Sequence, residues 1–237
     1  MEEKLSGIVL GGISYGENDK ILKIFTLEKG VVSARIKGVK KAGAKLKFAS
    51  EPFCFAEYIF SVRGDMRTVI GASLIDSFYP LREDIIKYFA GGTVLEFVKR
   101  FYVENIVSKT SFLQTVDTLK KLAYGDSDAV YELASYLILM LKESGFSLNI
   151  SENCYCGKEI EGRTFFDYNS GTFTCEECFD GTGREINNST LKALIKITKG
   201  NSVDKENVIR VLKLLEFYIE NRTEESLSSL KELIKIL

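Results

Sequence analysis

The hydrophobic pattern of this chain changes its period once, near Pro80, and that switch constrains the fold more than any single motif does. Before it, apolar residues come in short runs broken by glycine-containing turns. After it, they recur at three- and four-residue intervals. One kind of layer cannot serve both patterns. A β unit must precede an α unit, and the expected class is α+β with more than one domain.

Residues 5–10, 20–27, 31–38, 53–60 and 67–76 read as five strands. Gly11-Gly12 is expected to break the first. Glu28-Lys29-Gly30 and the stretch from Val62 to Met66 read as turns, with Gly30 supplying a positive φ. From Ala34 to Lys37, small or apolar residues alternate with basic ones, so one side of that strand is expected to be buried and the other wet. Five short strands with no long helix among them suggest a small, closed or partly open barrel over 1–78. Beyond Pro80, helical stripes run over 85–102, around Gly91-Gly92, and over 112–122, 130–141, 187–199, 204–220 and 227–237. Gly145 is placed to end the third. These stripes read as the packed faces of a bundle in two parts, 79–149 and 187–237. Residues 150–186, rich in glycine, asparagine, cysteine and charge, read as a module inserted between them.

Composition removes much chemistry. The chain has 237 residues, 45% of them hydrophobic and 27% charged, which is ordinary for a globular protein. It contains no histidine, so a Ser-His-Asp or Cys-His pair, a histidine base and a histidine-bound metal are all excluded. No apolar run is long enough to predict a membrane span. The start, Met1-Glu2-Glu3-Lys4, lacks the pattern of a signal peptide, so a cytoplasmic protein is expected.

Four of the five cysteines form two close pairs, Cys154-Tyr155-Cys156 and Cys175-Glu176-Glu177-Cys178, with 18 residues between the pairs. Such spacing suits a zinc-ribbon-like site of four cysteines, each turn supplying two thiolates to a tetrahedral ion. The first pair is C-x-C, where C-x-x-C is usual, and so requires a tighter turn; Gly157 follows it. The runs 163–168 and 171–174 can form a hairpin between the two turns. Disulfides are disfavoured in a reducing compartment. With four protein ligands the expected Zn2+ is structural. Cys54, alone in a strand, reads as a core residue.

Charge is polarised. Residues 20–47 hold nine basic side chains and one acidic, a net +8, so the rest of a chain that totals −1 carries −9. Lys20, Lys23, Arg35, Lys37, Lys40, Lys41, Lys45 and Lys47 are the candidate phosphate contacts for a nucleic acid. Gly38, Ala42, Gly43 and Ala44 make a flexible loop expected to follow a backbone, and Phe25, Phe48, Tyr58 and Phe60 are candidate stacking platforms for bases. The alternative is a solvated surface loop. Gly38 to Lys45 only imitates a phosphate loop, since Ala44 stands where lysine is needed and Lys45 where serine or threonine is needed.

The opening Gly7-Ile8-Val9-Leu10, then Tyr15 to Leu22, Phe25 to Gly30, the basic Arg35 to Lys41 and Glu51-Pro52-Phe53 together resemble RecO, the recombination mediator family of bacterial DNA repair. The likeness continues, in order, through Tyr131 to Ala134, Ser144-Gly145-Phe146, Cys156-Gly157 and the Cys175 to Cys178 pair. It implies an N-terminal OB-type barrel joined to a helical domain with a zinc module. It implies binding of single- and double-stranded DNA without ATP, and annealing of complementary strands. It also implies binding to the C-terminal tail of single-strand-binding protein, and partnership with RecR in loading RecA. No bond-breaking site is expected. Three rival readings stand beside this one: a protein-interaction scaffold, an RNA-binding barrel, and a carboxylate enzyme built on Glu17, Asp19 and Asp65.

Overall fold

Glycine shapes the first strand, though not as the sequence suggests. In the computed structural model, which describes residues 1–237, β1 (Glu2–Tyr15) does not stop at Gly11-Gly12 but runs through them to Tyr15. A bulge between Val9 and Gly11 bends it, with Gly11 at φ +143°. Gly7 and Gly12 lie where β2 passes close: a Cβ on them would come 2.6 Å from the Ile24 Cγ2 and 2.7 Å from the Leu22 Cδ2. The glycines permit close packing of two strands and do not interrupt either.

β1, β2 (Asp19–Thr26), β3 (Gly30–Ile36), β4 (Phe55–Arg63) and β5 (Met66–Asp76) close a barrel in the order β1-β2-β3-β5-β4, the order of an OB-fold. All neighbours are antiparallel except β3 and β5, which pair in parallel over Ala34–Ile36 and Arg67–Val69. β1 serves two partners, pairing residues 2–8 with β4 and 7–15 with β2. Side chains of alternating parity fill the interior, among them Leu22, Ile24, Ala34, Ile36, Tyr58 and Phe60. Cys54 lies among them, as its isolation in the sequence predicts. The buried Tyr58 hydroxyl donates to the Ala49 carbonyl at 3.1 Å, so its polar end is satisfied.

Two compact units result. The first comprises Met1–Glu83 with Leu95–Tyr124, so the barrel is joined by the last turns of α1 (Ile85–Phe101) and by α2 (Lys109–Tyr124). Phe25 points outward from the barrel interior and lies 5.5 Å from the Tyr102 ring and 5.4 Å from that of Phe112. Gly30, at φ +69°, is required twice over: a Cβ there would sit 1.9 Å from the Ile106 carbonyl oxygen.

The second unit comprises Asp84–Val94 with Gly125–Leu237. α1 continues through Gly91-Gly92 without a break. Gly92 admits a close neighbour, since a Cβ there would be 3.1 Å from the Ser229 Oγ. α5 (Lys205–Thr223) packs against α3 (Ala129–Glu143), α4 (Asn188–Thr198) and α6 (Ser228–Ile236). Its expected face, Val208, Val211, Leu212, Leu215, Tyr218 and Ile219, is buried. Asp128, Asn187 and Asp204 cap α3, α4 and α5 through backbone N–H groups. Gly145, at φ +84°, closes α3 in a Schellman motif, the Phe146 N–H reaching Leu141 O at 2.8 Å and the Gly145 N–H reaching Lys142 O at 3.2 Å. The segment between α3 and α4 carries a small sheet of β6 (Thr164–Asp167), β7 (Thr172–Cys175) and β8 (Arg184–Ile186), ordered β7-β6-β8; the sequence does not predict β8. The sheet is rooted on α5, the fully buried Phe166 lying 5.7 Å from the Tyr218 ring. No helix is long and apolar enough to cross a membrane.

Candidate metal centre and nucleic-acid interface

The four clustered cysteines meet. The Sγ atoms of Cys154, Cys156, Cys175 and Cys178 all lie within 4.8 Å of one another. Cys154 and Cys156 come from a tight hairpin in which the Cys154 N–H reaches Lys158 O at 2.8 Å and the Gly157 N–H reaches Cys154 O at 2.9 Å. Gly157, at φ +85°, allows it, so the C-x-C spacing is accommodated by the turn. Cys175 ends β7, and Cys178 follows on a 3-10 turn over Glu176–Cys178. The Tyr155 hydroxyl, between the first two cysteines, donates to the Cys178 carbonyl at 3.1 Å and ties the two turns together.

Four thiolates at about 2.3 Å from a tetrahedral Zn2+ would stand about 3.8 Å apart. The Cys156 and Cys175 sulfurs are 3.9 Å apart, so the donor set and its spacing fit such an ion. Burial works against a charged Cys154. The N–H groups of Cys156 and Cys175 and the neighbouring thiols outweigh it and lower its pKa to about 7. Hydrogen bonding with Cys156, with burial behind it, pushes Cys178 up to about 12.

The basic residues divide into two groups. Lys20 pairs with Glu51 at 3.4 Å, Lys23 with Glu104 at 3.7 Å and Lys29 with Glu3 at 3.3 Å. The Arg35 Nε donates to the Asp19 Oδ2 at 2.8 Å. Lys37, Lys40, Lys41, Lys45 and Lys47 are exposed and make no ion pair. These five occupy the β3–β4 connection, which is pinned where the sequence predicts a flexible loop. Val39 is 2% exposed and enters the barrel core, with Leu46 packed against that core. The Lys40 N–H donates to Asn18 O at 3.0 Å, and turns close at Lys41, Ala44 and Lys47.

Three of the four expected stacking aromatics are not available. Tyr58 and Phe60 face the barrel interior and Phe25 faces α2, all at 0% exposure; Phe48 is 38% exposed. The sequence reading misses Tyr15, which is 48% exposed and has the Arg35 guanidinium 5.0 Å from its ring centroid. Two adjoining clefts share Tyr15 and Arg35. The larger, about 490 Å³, adds Glu17, Asp19, Lys37 and Lys41. The smaller, about 240 Å³, adds Ile21, Asp65, Met66 and Arg67.

Asp19 is not a free catalytic carboxylate. The Gly38 N–H at 2.7 Å and then Arg35 hold its pKa below the usual value, and both oxygens are engaged. In the second unit a further cleft of about 260 Å³ is lined by apolar Phe166, Ile186, Leu214 and Phe217 and by three cations, Arg184, Arg210 and Lys213, against one carboxylate, Glu185.

Residues 1–78 match the family model described as recombination protein O N terminal, and residues 82–231 match recombination protein O C terminal. Among relatives, a DNA repair protein RecO from Acetivibrio thermocellus is 26% identical, over 99% of this chain and 96% of its own length. One from Caldicellulosiruptor bescii is 27% identical over 93% of this chain and 89% of its own length, and one from Oceanobacillus iheyensis is 27% identical over 92% and 88%. With the OB-ordered barrel, the helical unit and the four-cysteine cluster all present in one chain, these matches show that it belongs to the recombination protein O family of DNA repair proteins.

Proposed function

We propose that the protein is a recombination mediator that binds single- and double-stranded DNA and anneals complementary strands without ATP. The observation that carries this reading is the group of five unpaired lysines, Lys37, Lys40, Lys41, Lys45 and Lys47, held on a pinned connection beside the barrel's clefts. They neutralise phosphates, while Lys20, Lys23 and Arg35 stay engaged by Glu51, Glu104 and Asp19. Annealing needs two strands held close with their repulsion screened, and no nucleophile. The protein is therefore read as a binding protein and not an enzyme.

The four cysteines hold a structural Zn2+, which supplies a crosslink between the Cys154 hairpin and the Cys175 turn. Family membership supports partnership with RecR, with the C-terminal tail of single-strand-binding protein and, through them, the loading of RecA. The apolar cleft on α5, where Arg184, Arg210 and Lys213 outnumber Glu185, has the chemistry to seat an acidic peptide, and we assign the tail to it. The test is annealing of two labelled complementary strands without ATP. Ala at Lys37, Lys40 and Lys41 is expected to slow annealing at least tenfold; an unchanged rate refutes the assignment of the loop.

A further inference from the structure

Nothing so far distinguishes a strand's bases from its backbone, because lysines read phosphates alone. The clefts beside the lysines are differently built. We propose that Tyr15, backed by Arg35, is a stacking platform for one unpaired base, so that the barrel face selects unpaired nucleotides and not charge alone. The proposal rests on the DNA-binding reading above.

Three observations carry it. Tyr15 is the last residue of β1 and presents nearly half of its surface at the junction of the two clefts. Arg35 lies over its ring, at 5.0 Å from the centroid, and is held there. Its Nε and Nη2 donate to the Asp19 Oδ2 while the Asp19 Oδ1 accepts the Gly38 N–H at 2.7 Å. A guanidinium fixed by a carboxylate is a rigid cation and π surface, the kind of surface on which a base stacks.

Charge also sorts the ligand. Exposed Glu17 and Asp65 line the clefts, one in each, and repel phosphate. Lys37 and Lys41 line the larger cleft and attract it. The smaller cleft offers apolar Ile21 and Met66 with Tyr15, a surface suited to a base, and its two cations, Arg35 and Arg67, are engaged by Asp19 and Glu3. A strand whose backbone follows the lysines can therefore turn a base onto Tyr15. In a duplex every base is stacked and paired already, so duplex binding gains nothing from this residue.

The test compares two labelled strands of equal length by fluorescence anisotropy, an oligothymidine and an abasic strand with the same phosphates. Loss of one stacked base by alanine substitution weakens binding by about 5- to 150-fold. Tyr15→Ala is therefore expected to weaken oligothymidine by that factor, leave the abasic strand unchanged and leave the salt dependence of both unchanged. Tyr15→Trp is expected to retain oligothymidine binding, which separates loss of a stack from loss of fold. Equal weakening of both strands by Tyr15→Ala, or weakening of neither, overturns the proposal. The lysine variant of the preceding subsection is the control. If it weakens both strands while Tyr15→Ala weakens neither, the platform alone is wrong. If it weakens neither, or if no strand is bound, the DNA-binding reading falls and the platform with it.

Discussion

Salt titration separates the two groups of basic residues. Each of the five loop lysines would release condensed counterions on meeting a phosphate, contributing about −0.7 to the slope of log affinity against log salt for a single strand. Five such contacts give a slope of about −3.5, a loss of about a hundredfold between roughly 50 and 200 mM salt. Lys20, Lys23 and Lys29 already face Glu51, Glu104 and Glu3 at 3.3 to 3.7 Å. For them a phosphate replaces a carboxylate, and an exposed ion pair is worth only about 0–1 kcal/mol, so each shifts affinity by less than about fivefold. Ala at all five loop positions is expected to flatten the slope almost completely. Ala at Lys20, Lys23 and Lys29 is expected to keep the slope within about 0.5 of the parent protein. Anisotropy of a labelled single strand at several salt concentrations reads both. A strand-lysine variant that flattens the slope as much as the loop variant would show that the ion pairs of the free protein do not decide which lysines meet DNA.

Further outcomes follow from other parts of the molecule. Cys156→Ser is expected to lower zinc content, measured by elemental analysis of the purified protein, from about one equivalent to near zero, whereas Cys54→Ser in the barrel core leaves it unchanged. Gly30→Ala forces a Cβ against the Ile106 carbonyl at a position with φ +69°, so thermal melting should show a loss of about 1–3 kcal/mol or more. The pKa of Asp19 is held below its ordinary 3.8 by the Gly38 N–H and Arg35. Its contribution to stability is whole above 3.8 and is lost as pH falls through the lower folded value. Denaturant midpoints between about pH 2 and 6 should therefore fall less steeply with acid in Asp19→Asn than in the parent protein.

The class of the fold and the meeting of four cysteines are legible in the sequence because both depend on spacing along the chain. Alternating residues mark the strands, three- and four-residue stripes mark the helices, and close pairs of cysteines mark the two turns. What spacing alone does not show is misread. Gly11-Gly12 reads as a break because glycine usually interrupts a strand; here Gly11 sits at a bulge and Gly12 lets β2 pass close. β8 is only three residues long and carries no period of its own. The stacking aromatics show a signal that is present and goes unused. Glu57 must face water, so its neighbours Tyr58 and Ala56, and with them Phe60, belong to the opposite face, the interior. The ion pairs of Lys20, Lys23 and Arg35 cannot be foreseen, since Glu51 and Glu104 lie far along the chain and Asp19 meets Arg35 only across the β2–β3 pairing.

The double pairing of β1 also sets an order of events during synthesis. The first strand made needs β4 for one of its halves, and the barrel closes only when β5 bridges β4 to β3. The lysine-bearing connection leaves the ribosome before either of those strands does. Until residue 76 has emerged, Val39 and Leu46 have no closed interior to enter, and nothing pins the connection that bears the five lysines. A nascent chain cut short before β5 would thus carry all five loop lysines and none of their fixed arrangement.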